Sequence, residues 1–380
     1  MPEARFTLAF TETTDEATRT LTLSAPDSLA PRAQRMAEIR TFLTTSGWGG
    51  GETRMTFLQG DASPRRYARV ARGEERAVLM DSPRQADGPP IRDGQPYSRI
   101  AHLAEDVSAF AAVGEALIAR GFSAPQTFAT DFDRGFLLIE DLGDRVFGQE
   151  VKRGTPQEPM WRQGVEKLIV LRAFPPEAHL PLPGGASYTL PICEAQTLGV
   201  EIELLLDWYW PAITGGSASA SQRAAFLALW QPVFARVLDG AGGWLLRDYH
   251  SPNLLVLEDR APPRDTGIID YQDAMIGPWA YDLVSLLQDA RLDVAADIEQ
   301  RLLDLYISET QRRDSTFDEA RFRFAYAALG AQRNSKILGI FTRLAVRDGK
   351  RQYLAHIPRI WRYLARDLAH PELRSLKDWY

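Results

Sequence analysis

Three oxygen-bearing side chains stand where metal-assisted chemistry on a phosphate would want them. Asp248, Asn253 and Asp270 lie in the stretch LLRDYHSPNLLVLEDRAPPRDTGIIDYQD, residues 245–273. Magnesium takes carboxylate and amide oxygens, usually beside substrate phosphates. A transferred phosphoryl group needs positioning and charge neutralisation more than covalent help. Oxygens from such a set can hold the metal, while a carboxylate not bound to it can orient an attacking hydroxyl and accept its proton. The bland alternative is a polar hairpin held by Asx turns, since Asp and Asn favour loops.

These side chains need a scaffold that brings residues 248, 253 and 270 to one end. The apolar run 243–246 precedes a short polar loop carrying Asp248 and Asn253. Residues 254–257 read as a strand, 258–265 as a Pro- and charge-rich turn, and 266–269 as a second strand with Asp270 at its exit. A hairpin of this kind sets Asn253 and Asp270 side by side with Asp248 near them. His250 is read as a loop-stabilising residue rather than a base, and Asp282 as a brace for the loop or a cap for its helix.

Upstream, the pattern is strand, turn, strand, strand over 55–58, 65–71 and 77–80. The turn at 59–64 contains Gly60, Asp61 and Ser63, and backbone N–H groups exposed in such a turn can cover phosphates. A helix is predicted over 100–120 with Gly121 as its C-cap, then a strand over 136–139 running into Glu140-Asp141-Leu142-Gly143. From there the chain turns helical: 159–173, 192–210, 219–238, 281–291, 297–309, 317–346 and 352–368. Residues 1–50 read as an N-terminal extension, closed by Gly47 and the Gly49–Gly51 run.

At 380 residues the chain is long enough for two lobes. Its 45% apolar and 25% charged content is that of an ordinary globular protein. A net charge of −6 gives no global basic field for nucleic acid. The single cysteine, Cys193, leaves no intramolecular disulfide and no Cys-based zinc site. No apolar h-region opens the chain and no run approaches the ~20 apolar residues of a spanning helix. A cytoplasmic location without membrane or nucleic-acid partners is the expectation; oligomeric state stays open.

The order Arg247-Asp248, Asn253, Asp270 resembles the catalytic set of protein kinases, with Leu246 in place of the usual His and Asp270-Tyr271-Gln272 in place of Asp-Phe-Gly. More specifically, the E-D-L-G linker, the hairpin and IDYQDAMIGPWAYDLVSLL are similar to the aminoglycoside phosphotransferase and choline kinase group. The stretches GDASPRRYARV, LLIEDLGD, LRDYHSPNLLV and RLAVRDGKRQYL resemble anomeric amino-sugar kinases of peptidoglycan recycling. Together the shared stretches run from about residue 60 to 364. The N-terminal extension also resembles the tail of the P-loop ATPase used in tRNA threonylcarbamoylation, without a P-loop of its own, and is read as a fusion remnant or an ordinary extension.

The resemblance implies an α+β, protein-kinase-like two-lobe fold: a small antiparallel sheet lobe at 51–143 and a larger helical catalytic and substrate lobe at 144–380. It implies ATP and Mg2+ as cofactors and an N-acetylated amino sugar as acceptor. Asp248 would be the base, and Asn253 and Asp270 the metal ligands. The Gly60–Asp61–Ser63 turn would cover the phosphates, and Glu140 and Leu142 would meet adenine. Kinases carry a Lys on the third strand; Met80 stands there, and Arg66 or Arg69 on the preceding strand is the candidate replacement. Glu194 and Glu201, seven apart, would share a helix face toward the sugar, and Arg333 belongs to a basic stretch suited to an acidic one. The competing readings are a kinase for an aminoglycoside, choline or homoserine, and a catalytically dead nucleotide-binding module.

Overall fold

The computed structural model describes residues 10–15, 18–23, 30–50, 53–58, 65–240 and 242–380. The phosphate-covering turn with Gly60, Asp61 and Ser63 lies outside the described residues, as do parts of the extension. The chain divides into two compact units, Met1–Leu79 and Met80–Tyr380.

In the first unit, strands Phe10–Asp15 and Thr18–Leu23 pair antiparallel. The helix Ala30–Thr45 follows, burying Ile39, Phe42 and Leu43. Strand Thr53–Phe57 then pairs antiparallel with Arg66–Arg72, in the register Thr53↔Arg72 and Phe57↔Ala68. Ala68 and Val70 are buried while Arg66 is exposed, the alternation expected of a sheet with one face inward. Gly73 turns the chain at φ 59°, a backbone angle that suits glycine. The strand Glu75–Asp81 begins in this unit and ends in the next.

The second unit contains a hairpin of its own and is mainly helical after it, apart from short paired strands. Strands Thr127–Asp131 and Phe136–Glu140 pair antiparallel, and Phe136, Leu137, Leu138 and Ile139 are all buried. Met80, at the position where a kinase would carry Lys, is also buried. The helix predicted over 100–120 is shorter than its periodicity suggests, spanning Ser108–Ala119. Two side-chain acceptors explain the late start. Asp106 caps the Ser108 N–H at 2.9 Å, and Asp273 takes the Ala104 N–H at 2.7 Å. Just ahead of both, His102 sits at φ 50°.

The helix Glu319–Val346 is the spine of this unit. It packs against Ala195–Leu204, Ala280–Leu287 and Ile357–Asp367. Close approach comes from Gly339, where a Cβ would stand 2.3 Å from the Leu204 carbonyl. The predicted helix over 192–210 is three pieces: α-helix Ala195–Leu204, a π-helical turn Leu205–Tyr209, and α-helix Trp210–Thr214. Such a π turn inserts an extra residue and rotates the helix face. Ser219 begins Ala220–Leu238 with a reciprocal capping box to Gln222. No helix among the described residues is long and apolar enough to cross a membrane.

Candidate active site

The catalytic loop hangs between two small sheets. Strand Gly243–Leu245 pairs antiparallel with Met275–Gly277, and Leu254–Val256 pairs antiparallel with Thr266–Ile268. The second pairing, with Leu254 opposite Ile268, sets Asn253 just before one strand and Asp270 just after the other. The Ile269 N–H donates to the Asn253 carbonyl at 3.0 Å, closing that end. Asn253 Nδ2 then reaches the Asp248 carbonyl oxygen at 2.9 Å and Asp270 Oδ2 at 3.3 Å. Asp248, Asn253 and Asp270 are thus brought together. With its nitrogen spent on those two contacts, Asn253 presents its oxygen outward. Gln272 Nε2 donates to Asp270 Oδ1 at 3.0 Å.

Backbone strain marks both ends of the constellation. Arg247 sits at φ 71° and Asp270 at φ 59°. Asp tolerates the left-handed region, but for Arg it costs on the order of 1–3 kcal/mol and persists only where surroundings fix it. Asp282 supplies that fixing: its carboxylate accepts from the Leu246 N–H at 2.6 Å and the Arg247 N–H at 2.8 Å. Burial pushes the Asp282 pKa up to about 7, against the pull of those two donors. On the far side, Asp289 accepts from the Ser251 N–H at 2.8 Å. Tyr249, buried, donates to the Gly164 carbonyl at 2.8 Å. The loop is held at its entry, middle and exit.

Electrostatics separate the roles. Burial alone would raise the pKa of Asp248, but the charges of Lys336, Arg247 and Arg333 hold it below the usual carboxylate range. His250 goes the other way: burial lowers its pKa to about 4 despite Asp289, so its ring is neutral near pH 7. Its N–H to the Asp248 carbonyl, 3.1 Å, is a loop contact.

The acceptor side differs from the sequence expectation. Glu194 does not share a helix face with Glu201. It precedes the first turn of Ala195–Leu204 in an extended conformation, exposed. Glu201 is 2% exposed and already engaged. Its Oε1 takes Lys336 Nζ at 2.8 Å and Arg247 Nη2; its Oε2 takes Gln332 Nε2 at 2.9 Å. Arg247 also donates to the Ala101 carbonyl at 2.7 Å. Burial would raise the Glu201 pKa, yet Lys336 and Arg247 bring it to about 2. The expected basic face around residue 333 is no solvated surface either. Asn334 is buried and donates to Gln288 and Asp367, and Arg333 is buried beside it.

At the linker, the Glu140 N–H is taken by the Gln126 carbonyl at 2.8 Å, and its carboxylate pairs with Arg260. The Leu142 N–H has no acceptor among the described residues, and its side chain is half-buried. Glu105 pairs with Arg84 at 2.8 Å, ahead of the helix. Sequence reasoning missed Gln332, Asp289 and Tyr281. Gln332 and Lys336 are four apart on one helix, so a shared face toward Glu201 was open to discovery; nothing in the sequence marks Asp289.

A paired Asn and Asp at a hairpin end, an ionised Asp on a braced loop, strands in the small part and helices in the large one define a phosphotransferase of the protein-kinase-like fold. The chain belongs to the Phosphotransferase enzyme family, whose profile matches residues 54–325. It is 35% identical over 357 residues to an N-acetylmuramate/N-acetylglucosamine kinase of Caulobacter vibrioides, covering 92% of this chain and 96% of that one. A protein of the same description from Pseudomonas aeruginosa is 28% identical, with 87% and 89% covered. Among solved structures, a Plasmodium vivax ethanolamine kinase aligns with a TM-score of 0.53 at 10% identity, covering 85% of this chain and 84% of that one. The gentamicin complex of an aminoglycoside phosphotransferase, APH(2")-IIa, aligns with a TM-score of 0.53 at 13% identity, with 86% and 95% covered.

Proposed function

We propose that this enzyme transfers the γ-phosphoryl group of ATP to the anomeric hydroxyl of N-acetylmuramate or N-acetylglucosamine, in cell-wall recycling. The observation that carries the chemistry is the meeting of Asp248, Asn253 and Asp270 on a loop braced at both ends. Asp248 orients the sugar hydroxyl and accepts its proton as the bond to phosphorus forms. Asn253 and Asp270 fit a hard cation by donor type, and would hold magnesium, which neutralises phosphate charge when bound. The Leu142 N–H and the linker around Glu140 receive the adenine. The Gly60–Ser63 turn and Arg66 attend the phosphates in place of the missing Lys. Residues 1–50 stand as an extension to the lobes at 51–143 and 144–380, in a protein of the cytoplasm.

Charge favours this acceptor over a polycationic one. Near Asp248 stand Lys336, Arg247 and Arg333, and Glu201 is already consumed by two of them. Arg333, left without a carboxylate, would repel a polycationic aminoglycoside and attract an acidic sugar. The test is ATP consumption with magnesium across both amino sugars, choline, homoserine and an aminoglycoside. Turnover confined to the amino sugars supports the reading; turnover with a cationic acceptor and none with either sugar overturns it.

The metal assignment makes its own prediction. Asp270→Asn and Asn253→Ala should each raise the magnesium needed for half-maximal turnover by at least about tenfold, the loss that even an outer partner of a metal site brings. Asn253→Ala also removes the Nδ2 contacts to Asp248 and Asp270, so it is Asp270→Asn whose unfolding temperature without nucleotide should hold. Unchanged magnesium titrations in both variants would remove them from the site.

A further inference from the structure

Arg333 and Arg343 are the two arginines of their helix with a guanidinium nitrogen enclosed without an acceptor, and Arg333 is the one whose charge reaches Asp248. Its neighbours Gln332, Asn334 and Lys336 all spend their donors on Glu201, Gln288, Asp367 or the Leu198 carbonyl. Arg333 is just as buried, 5% exposed, yet its Nη1 is enclosed without an acceptor. Among the described residues no carboxylate pairs with it. A guanidinium cannot shed its proton near neutral pH, so burial without a partner costs several kcal/mol. Its helix packs against Ala280–Leu287, which carries Tyr281 and the loop-bracing Asp282, and its charge helps to hold Asp248 below the usual carboxylate range. The fold thus places a fixed charge with an enclosed, unpartnered N–H group on a helix packed against the element that braces the catalytic loop.

We infer that Arg333 receives the carboxylate of the acceptor and so distinguishes an acidic amino sugar from its neutral counterpart. This rests on the amino-sugar reading above. N-acetylmuramate is N-acetylglucosamine with a lactyl ether, so a single carboxylate is the charge by which the two differ. A planar guanidinium offers two parallel N–H groups that match a carboxylate in spacing and charge. A neutral sugar leaves the fork unfilled, or filled by water. Lys336 and Arg247, also cationic and near Asp248, are unsuited to this task because Glu201 already holds both.

The experiment varies both partners. Wild type, Arg333→Met and Arg333→Lys are assayed on N-acetylmuramate, its methylamide and N-acetylglucosamine, with saturating Mg·ATP. Wild type should show a KM about 10–100-fold lower for the acid than for the methylamide, the size of a charge-assisted pair. Arg333→Met should erase that preference, read as the ratio of the KM for the acid to the KM for the methylamide within the same variant, and Arg333→Lys should recover part of it. If wild type uses the acid and the methylamide alike, the inference fails whether or not the variants fold. Equal losses on all three substrates in Arg333→Met also overturn it, and place the guanidinium on the transferred phosphoryl group or in the core. Wild type that phosphorylates none of the three overturns the amino-sugar reading itself.

Discussion

Asp248→Asn is expected to slow turnover by about 10²–10⁴-fold, the usual contribution of a general base, with nucleotide affinity nearly unchanged. The substitution keeps the size and hydrogen-bonding reach of the side chain and removes its charge. The loop's hydrogen bonds do not use that carboxylate: Asn253 Nδ2 and the His250 backbone N–H both use the Asp248 backbone carbonyl. The Leu246 and Arg247 N–H groups belong to Asp282. An interaction made only in the transition state lowers the rate and spares ground-state binding. Three nearby cations that hold Asp248 ionised would gain in Asn an uncharged neighbour, so a small tightening of an anionic substrate is compatible with the loss in rate. Single-turnover rates and nucleotide titrations check both halves. A variant that phosphorylates within a few-fold of wild type would show that Asp248 only shapes a turn.

Glu201→Leu is expected to destabilise the fold by about 3–5 kcal/mol, because it strands two buried cations at once. Lys336 and Arg247 both meet this carboxylate in a place where neither side is more than 12% exposed. The Ala101 carbonyl remains to Arg247, and the Tyr281 hydroxyl, at 3.3 Å, to Lys336. Neither supplies a charge. A Glu201→Leu/Lys336→Met double variant should regain part of the loss, since one stranded charge goes with the other. Acid should act through the same residue. The folded pKa of Glu201, about 2, lies below its ordinary 4.5. Its contribution is therefore complete above about pH 4.5 and fades as pH falls toward 2. Urea midpoints between those limits should decline more steeply in wild type than in Glu201→Gln. Superimposed slopes would mean that the carboxylate is not held by the two cations.

Local rules carried much of this protein. The hairpin was legible because strand propensity, a Pro-rich turn and the spacing of Asp248, Asn253 and Asp270 all agree, and side-by-side placement of Asn253 and Asp270 follows from antiparallel pairing. The capping box at Ser219 and the helical runs were equally local. The partners of these elements were not. Strand Gly243–Leu245 pairs with Met275–Gly277, about thirty residues on, and no pattern within either strand names the other. The helix at 100–120 starts late because an acceptor from residue 273 reaches Ala104. The face shared by Glu194 and Glu201 dissolved because a helix boundary falls between them.

The charge map was decided by tertiary structure for the same reason. In sequence, Arg333, Asn334 and Lys336 are a short polar run like any exposed one, and Glu201 is a helix acid. Packing of Glu319–Val346 against Ala195–Leu204, close enough to require Gly339, removes water from all of them. Burial then forces each polar atom to find a partner or pay for its absence. The residue types of the reacting centre could be read from the chain because their chemistry is local. Which charges are spent on one another, and which one is left for a ligand, depends on distances between segments 33 to 135 residues apart in sequence, and those exist only in the folded chain.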